Sequence, residues 1–86
     1  VIRSNAFLYL AMKELDLSNN KIEEIEVNAF AGLQNLYSLT LNNNLIKTLH
    51  YGSFFGLASL TSLDLSEQSL TKLKKGVFVG LDSIMG

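Results

Sequence analysis

Apolar residues recur along this chain with a period of 24. Three consecutive blocks, residues 12–35, 36–59 and 60–83, align without a gap. Positions 1, 4, 6, 11, 14, 19 and 22 of every block are apolar. The first block places Met12, Leu15, Leu17, Ile22, Ile25, Phe30 and Leu33 there. The second places Leu36, Leu39, Leu41, Ile46, Leu49, Phe54 and Leu57, and the third Leu60, Leu63, Leu65, Leu70, Leu73, Phe78 and Leu81. All 21 positions fit, and at 48 % apolar residues chance produces this less often than about once in a million. Ile2, Phe7 and Leu10 repeat positions 14, 19 and 22 in a partial repeat over residues 1–11, although the step from Phe7 to Met12 is one residue short. Ile84 opens a further repeat over residues 84–86. No internal linker or low-complexity tract interrupts the array.

Each block opens with strict alternation: Leu15-Asp16-Leu17, Leu39-Thr40-Leu41, Leu63-Asp64-Leu65. Period 2 predicts a strand buried on one face. A polar turn follows at Ser18-Asn19-Asn20, Asn42-Asn43-Asn44 and Ser66-Glu67-Gln68. The second half, with wider apolar spacing and a Phe-x-Gly-Leu ending, returns the chain to the next strand. Identical strands reached in this way are parallel, about 4.8 Å apart, and a coil that touches only its neighbours is a solenoid. The amide at position 9 is predicted to turn inward onto backbone groups that burial would leave unpaired. Asn20 and Asn44 suit this role. Gln68 is one methylene longer, so a local adjustment is expected there.

These residues resemble the leucine-rich repeat, L-x-x-L-x-L-x-x-N-x-L, in its 24-residue form with Phe near position 19. The resemblance covers nearly the whole chain. It implies an α/β-type repeat solenoid: a right-handed coil with a parallel sheet on its concave face and a mostly irregular or short-helical convex side. It also implies an extracellular setting, as in Toll-type receptors, Slit-like proteins, insect cell-surface repeat proteins and lamprey variable lymphocyte receptors, and with it a role in cell-surface signalling or innate immunity. Extracellular arrays of this kind usually carry cysteine-rich caps. The absence of cysteine is therefore read as caps lying outside this stretch, which begins and ends inside repeats.

Composition narrows the chemistry. Seven Lys+Arg against eight Asp+Glu give a net charge of −1, which offers no bulk attraction to nucleic acid or to a membrane surface. No leader is visible at Val1, and the longest apolar run, residues 6–12, is too short to span a bilayer. A membrane role would come only through other parts of a longer protein. One histidine and no cysteine leave no thiolate or multi-histidine metal site. His50 sits at position 15 and reads as an exposed turn residue, with no serine and aspartate brought to it for nucleophilic catalysis. Glu23, Glu24 and Glu26 are a solvated face before they are a calcium site. Gly76 and Gly80 form a G-x-x-x-G string without the apolar 20-residue stretch that a membrane helix pair needs. There is no Asn-x-Ser/Thr acceptor. No enzyme activity, cofactor, metal or nucleic-acid partner is expected.

What remains is surface. Solenoid curvature builds an extended face suited to protein partners. The candidate binding face takes its outward strand residues as Glu14, Asp16 and Ser18; Ser38, Thr40 and Asn42; Ser62, Asp64 and Ser66. Lateral neighbours are Lys13 and Asn19, Tyr37 and Asn43, Thr61 and Glu67. Lys13 alone opposes Glu14, Asp16, Asp64 and Glu67, and Tyr37 is the one large anchor. The expected function is recognition of a protein ligand or co-receptor through this concave face. The alternative is a spacer or dimerisation segment in an adhesion or matrix protein. A second feature, Glu23, Glu24 and Glu26 shifting to Lys47, His50, Lys72, Lys74 and Lys75 along the array, suggests either lateral self-association or attraction between neighbouring turns, the latter being favoured. Unclosed ends predict that the 86 residues alone are poorly stable or prone to associate.

Overall fold

The structure, a computed structural model, describes residues 1–8, 10–70, 73, 76–81 and 83. Five short strands follow one another: β1 (Glu14–Asp16), β2 (Glu24–Ile25), β3 (Ser38–Thr40), β4 (Thr48–Leu49) and β5 (Ser62–Asp64). β1, β3 and β5 form a three-stranded parallel sheet in the order β1-β3-β5. The register steps by one full repeat, so Leu15, Leu39 and Leu63 lie side by side, as do Asp16, Thr40 and Asp64. Alternation accounts for the faces: Leu39 and Leu41 are wholly buried, whereas Ser38 and Thr40 are only half-buried.

Of the two forms expected, the return side takes the irregular one rather than the short-helical one. The described residues contain no helix. β2 and β4 instead form a second parallel ladder, extended by a bridge between Ile2 and Ile25. The chain then runs through turns closed by three-residue bonds, such as Ala31 N–H to Asn28 C=O at 3.2 Å and Leu33 N–H to Phe30 C=O at 3.2 Å. The cause is local. Position 17 (Asn5, Asn28, Gly52, Gly76) and position 21 (Gly32, Gly56, Gly80) both have positive φ. A left-handed residue every four positions stops any right-handed helix from propagating.

Between the two ladders lies one apolar core. In the second repeat Leu36, Leu39, Leu41, Ile46, Leu49, Phe54 and Leu57 are all buried. Phe7, Phe30, Phe54 and Phe78 stack face to face through the core, with centroid spacings of 5.8, 6.0 and 5.7 Å and interplanar angles of 3°, 4° and 13°. The third repeat covers its inward positions less well: Leu73 is 54 % exposed and Phe78 43 %. Residues 84–86, read as the start of a further repeat, lie outside the described residues.

Candidate functional site

The strand face is built in rows, because repeat-long register stacks equivalent positions. At the strand entry Lys13, Tyr37 and Thr61 are tied by the backbone, with Tyr37 N–H donating to Lys13 C=O at 2.8 Å and Thr61 N–H to Tyr37 C=O at 3.0 Å. Tyr37 is 43 % exposed. Its phenol is held above the ordinary tyrosine pKa by hydrogen bonding to the Glu14 side chain, with desolvation and the charge of that carboxylate acting in the same direction. An ionised phenolate beside a carboxylate would be repelled, so Tyr37 stays neutral.

Beyond the outward row of Glu14, Ser38 and Ser62, and three residues along the strands from Tyr37, comes the row of Asp16, Thr40 and Asp64. Ser18 donates to Asp16 Oδ1 from its N–H at 2.9 Å and from its hydroxyl at 2.6 Å. Ser66 does the same to Asp64 at 2.9 and 2.7 Å. The side-chain and backbone bonds from each serine lower both carboxyl pKa values, and each group stays charged to lower pH than a free carboxylate. At the strand exit the Asn43 side-chain amide donates to Asn19 Oδ1 at 2.7 Å, and Glu67 follows in the row. Asn19, Asn43 and Glu67 all have φ of 57°, where asparagine is tolerated and glutamate is strained. Ser38, Ser62 and Asn42 fill the remaining outward places, and no other element covers this face among the described residues.

Beneath the exit, the amide row holds the coils together. Asn44 is 3 % exposed. Its amide donates to Leu17 C=O at 3.0 Å and to Leu41 C=O at 2.9 Å, and its oxygen accepts the Ile22 N–H at 3.1 Å. Gln68 keeps its place in this row with the local adjustment that its longer side chain led us to expect. Its amide reaches Leu41 C=O at 2.6 Å and its oxygen accepts the Ile46 N–H at 3.2 Å, the same two groups of the preceding coil that Asn44 serves one repeat earlier. The extra methylene carries the amide across to the neighbour, and the bond to Gln68's own coil goes to Ser66 C=O at 3.3 Å instead of Leu65. Asn20, in the first full coil, donates to Leu17 and Ser18 C=O at 2.9 and 3.0 Å.

The return flank is internally paired. Lys47 Nζ lies 3.5 Å from Glu23, His50 Nε2 2.7 Å from Glu24, and Arg3 4.0 Å from Glu26. His50, read from sequence as an exposed turn residue, is half-buried and bridges to the preceding coil. Lys72, Lys74 and Lys75, the basic end of this flank, lie outside the described residues. Among the described residues no three His, Asp or Glu side chains gather as a metal group.

Sequence reasoning missed Ser53. It is fully buried, takes the His50 N–H on its hydroxyl at 2.8 Å and donates to Ile25 C=O at 2.7 Å. In the preceding coil the equivalent Glu26 N–H bonds Ile2 C=O directly at 2.9 Å. The signal was available: position 18 otherwise carries Ala6, Ala29 and Val77.

Parallel strands repeated in register, an inward amide ladder and an aromatic stack define a repeat solenoid with one open strand face. Residues 10–70 and 34–85 each match the leucine-rich-repeat family, and the chain belongs to it. No match is found among curated proteins. Domains of this family generally mediate protein–protein interaction and are typically non-catalytic.

Proposed function

We propose that this chain is a protein-recognition segment of an extracellular or cell-surface, receptor-like leucine-rich-repeat protein, and that it meets its ligand or co-receptor through the strand face. The observation that carries the reading is a contrast between surfaces. The flank charges are engaged between coils. The strand face instead presents Tyr37, Asp16 and Asp64 on a rigid sheet with no covering element among the described residues. A preorganised surface with a rigid aromatic and short polar neighbours loses little entropy on binding.

Antibody staining of the tagged full-length protein on unpermeabilised cells tests the location, and signal seen only after permeabilisation overturns it. For the face, Asp16→Lys with Asp64→Lys is expected to weaken binding of the cognate partner at least tenfold, while Glu23→Lys leaves it within about twofold. Unchanged affinity in the strand-face variant overturns the reading. It would favour the second role, a spacer, which the coil-to-coil continuity of the phenylalanine stack also suits.

A further inference from the structure

The return flank carries an apolar step that no element covers among the described residues. Position 16 is Ser4, Val27 and Tyr51 in successive coils, so the surface is low at Ser4 and Val27 and rises at Tyr51, which is 61 % exposed. With Glu26 and His50 these three side chains line an open groove of about 450 Å³. The Tyr51 ring packs edge to face against Phe55, with centroids 5.4 Å apart at 84°. It also lies so close over Gly76 that a Cβ there would stand 2.6 Å from the ring. The ring is thus fixed before any partner arrives, and docking costs it little entropy. Position 20 repeats the step: Ala31 is followed by Phe55, with the exposed Leu8 and Val79 on either side of the pair. A continuous apolar surface of this kind marks a contact site.

The charged rows decide what covers it. Position 12 sets Glu23 beside Lys47, 3.5 Å apart, and position 15 sets Glu26 beside His50. A partner of uniform charge would be repelled by one member of the position 12 pair. A second copy is not, because an isologous contact asks only that the surface match itself under a two-fold rotation. A two-fold axis lying in the contact plane, across the coils and between the first and second repeats, keeps each row on its own row and reverses the order of coils. Tyr51 of each copy then fills the low ground over the other's Val27. Phe55 meets Ala31, and Leu8 meets Val79. The two Glu23–Lys47 pairs close into a ring of four alternating charges, and Glu26 faces the other's His50. At the rim this register sets Arg3 against the place of Lys74, which lies outside the described residues, and exposed charges there cost little.

We propose that this chain forms an antiparallel homodimer through its return flank, with Tyr51 of each copy seated in the groove beside Val27 of the other. The strand-face residues take no part, so the proposal stands or falls independently of the ligand-binding reading.

Sedimentation velocity on a dilution series of the intact protein tests this. The unaltered protein is expected to dimerise, and Tyr51→Ala and Val27→Glu are each expected to raise the dimer Kd about tenfold or more. Both side chains are exposed, and an unchanged circular dichroism spectrum checks that the variants stay folded. Mixing the two variants then tests the geometry. In a dimer of one Tyr51→Ala chain and one Val27→Glu chain, the remaining tyrosine enters the remaining intact groove. That mixed dimer is expected to form about fivefold more tightly than either variant with itself, beyond the roughly twofold statistical gain of mixing. A monomeric unaltered protein, a dimer indifferent to Tyr51→Ala, or a mixture no tighter than the statistical gain overturns the proposal.

Discussion

At the scale of single residues, a few polar side chains do what the alternating leucines cannot. A parallel coil leaves the N–H of position 11 and the C=O of position 6 facing the interior, and Asn44 satisfies both from the next coil. Asn44→Ala strands those groups in an apolar setting, so it is expected to cost about 2–4 kcal/mol in urea denaturation. Asn44→Gln is expected to cost no more than about 1 kcal/mol, because Gln68 already serves the equivalent groups with the longer side chain. Equal losses in the two variants would mean that amide length, not amide chemistry, sets the row. Glu67 is the complementary case. Its φ of 57° repeats that of Asn19 and Asn43, but its side chain has no local hydrogen-bonding reason to sit in the left-handed region. Glu67→Asn is expected to stabilise by about 1 kcal/mol and to raise Tm by roughly 4–8 °C in a chain of this size. A lower Tm would show that the glutamate contributes something the strain conceals.

At the scale of elements, legibility followed the length of each pattern. β1, β3 and β5 could be read because three-residue alternation recurs in phase with the repeat; position 19 marked a recurring phenylalanine but not its stacking. β2 and β4 are two residues long, too short for alternation to register, and their pairing joins residues a full repeat apart. The return side's turns were legible in principle, since Asn28, Gly52 and Gly76 mark one left-handed row and Gly32, Gly56 and Gly80 another. On the candidate face, sequence placed Asp16, Thr40 and Asp64 in one row. It did not reveal that Ser18 and Ser66 lock the carboxylates. Those contacts depend on side-chain geometry rather than period. The stack itself yields a prediction. Phe54 is fully buried between Phe30 and Phe78, so Phe54→Ala removes two ring contacts and opens a cavity, at an expected cost of about 3–5 kcal/mol. Phe7, with a single stacking neighbour, is expected to cost less when truncated. A double-mutant cycle of Phe30→Leu with Phe54→Leu should show coupling of about 0.5–1.5 kcal/mol, and strict additivity would contradict a stack acting as one element.

At the scale of the whole molecule, the described strands contact only strands of adjacent coils, so stability is a sum of coil terms and nearest-neighbour interfaces. The middle repeat has a neighbour on each side, and all seven of its inward residues are buried. The third repeat is different: Leu73 and Phe78 remain about half-exposed, and Leu63, Leu65, Leu70 and Leu81 are only partly buried. The first repeat is intermediate, with Met12, Leu15, Leu17 and Ile22 partly buried but Ile25, Phe30 and Leu33 enclosed. Opening is therefore expected to start from the third repeat and proceed toward the second, not to occur in one step. Native-state hydrogen exchange on these 86 residues measures this directly. The Tyr37 N–H bonds Lys13 C=O between the first and second repeats, whereas the equivalent Thr61 N–H bonds Tyr37 C=O between the second and third. Tyr37 is expected to exchange at least tenfold more slowly, a difference of about 1.4 kcal/mol in opening free energy. Equal protection across the three repeats would mean that the array opens as a single cooperative unit. The interfaces would then dominate the intrinsic coil terms, and the exposed leucines of the third repeat would carry no local penalty.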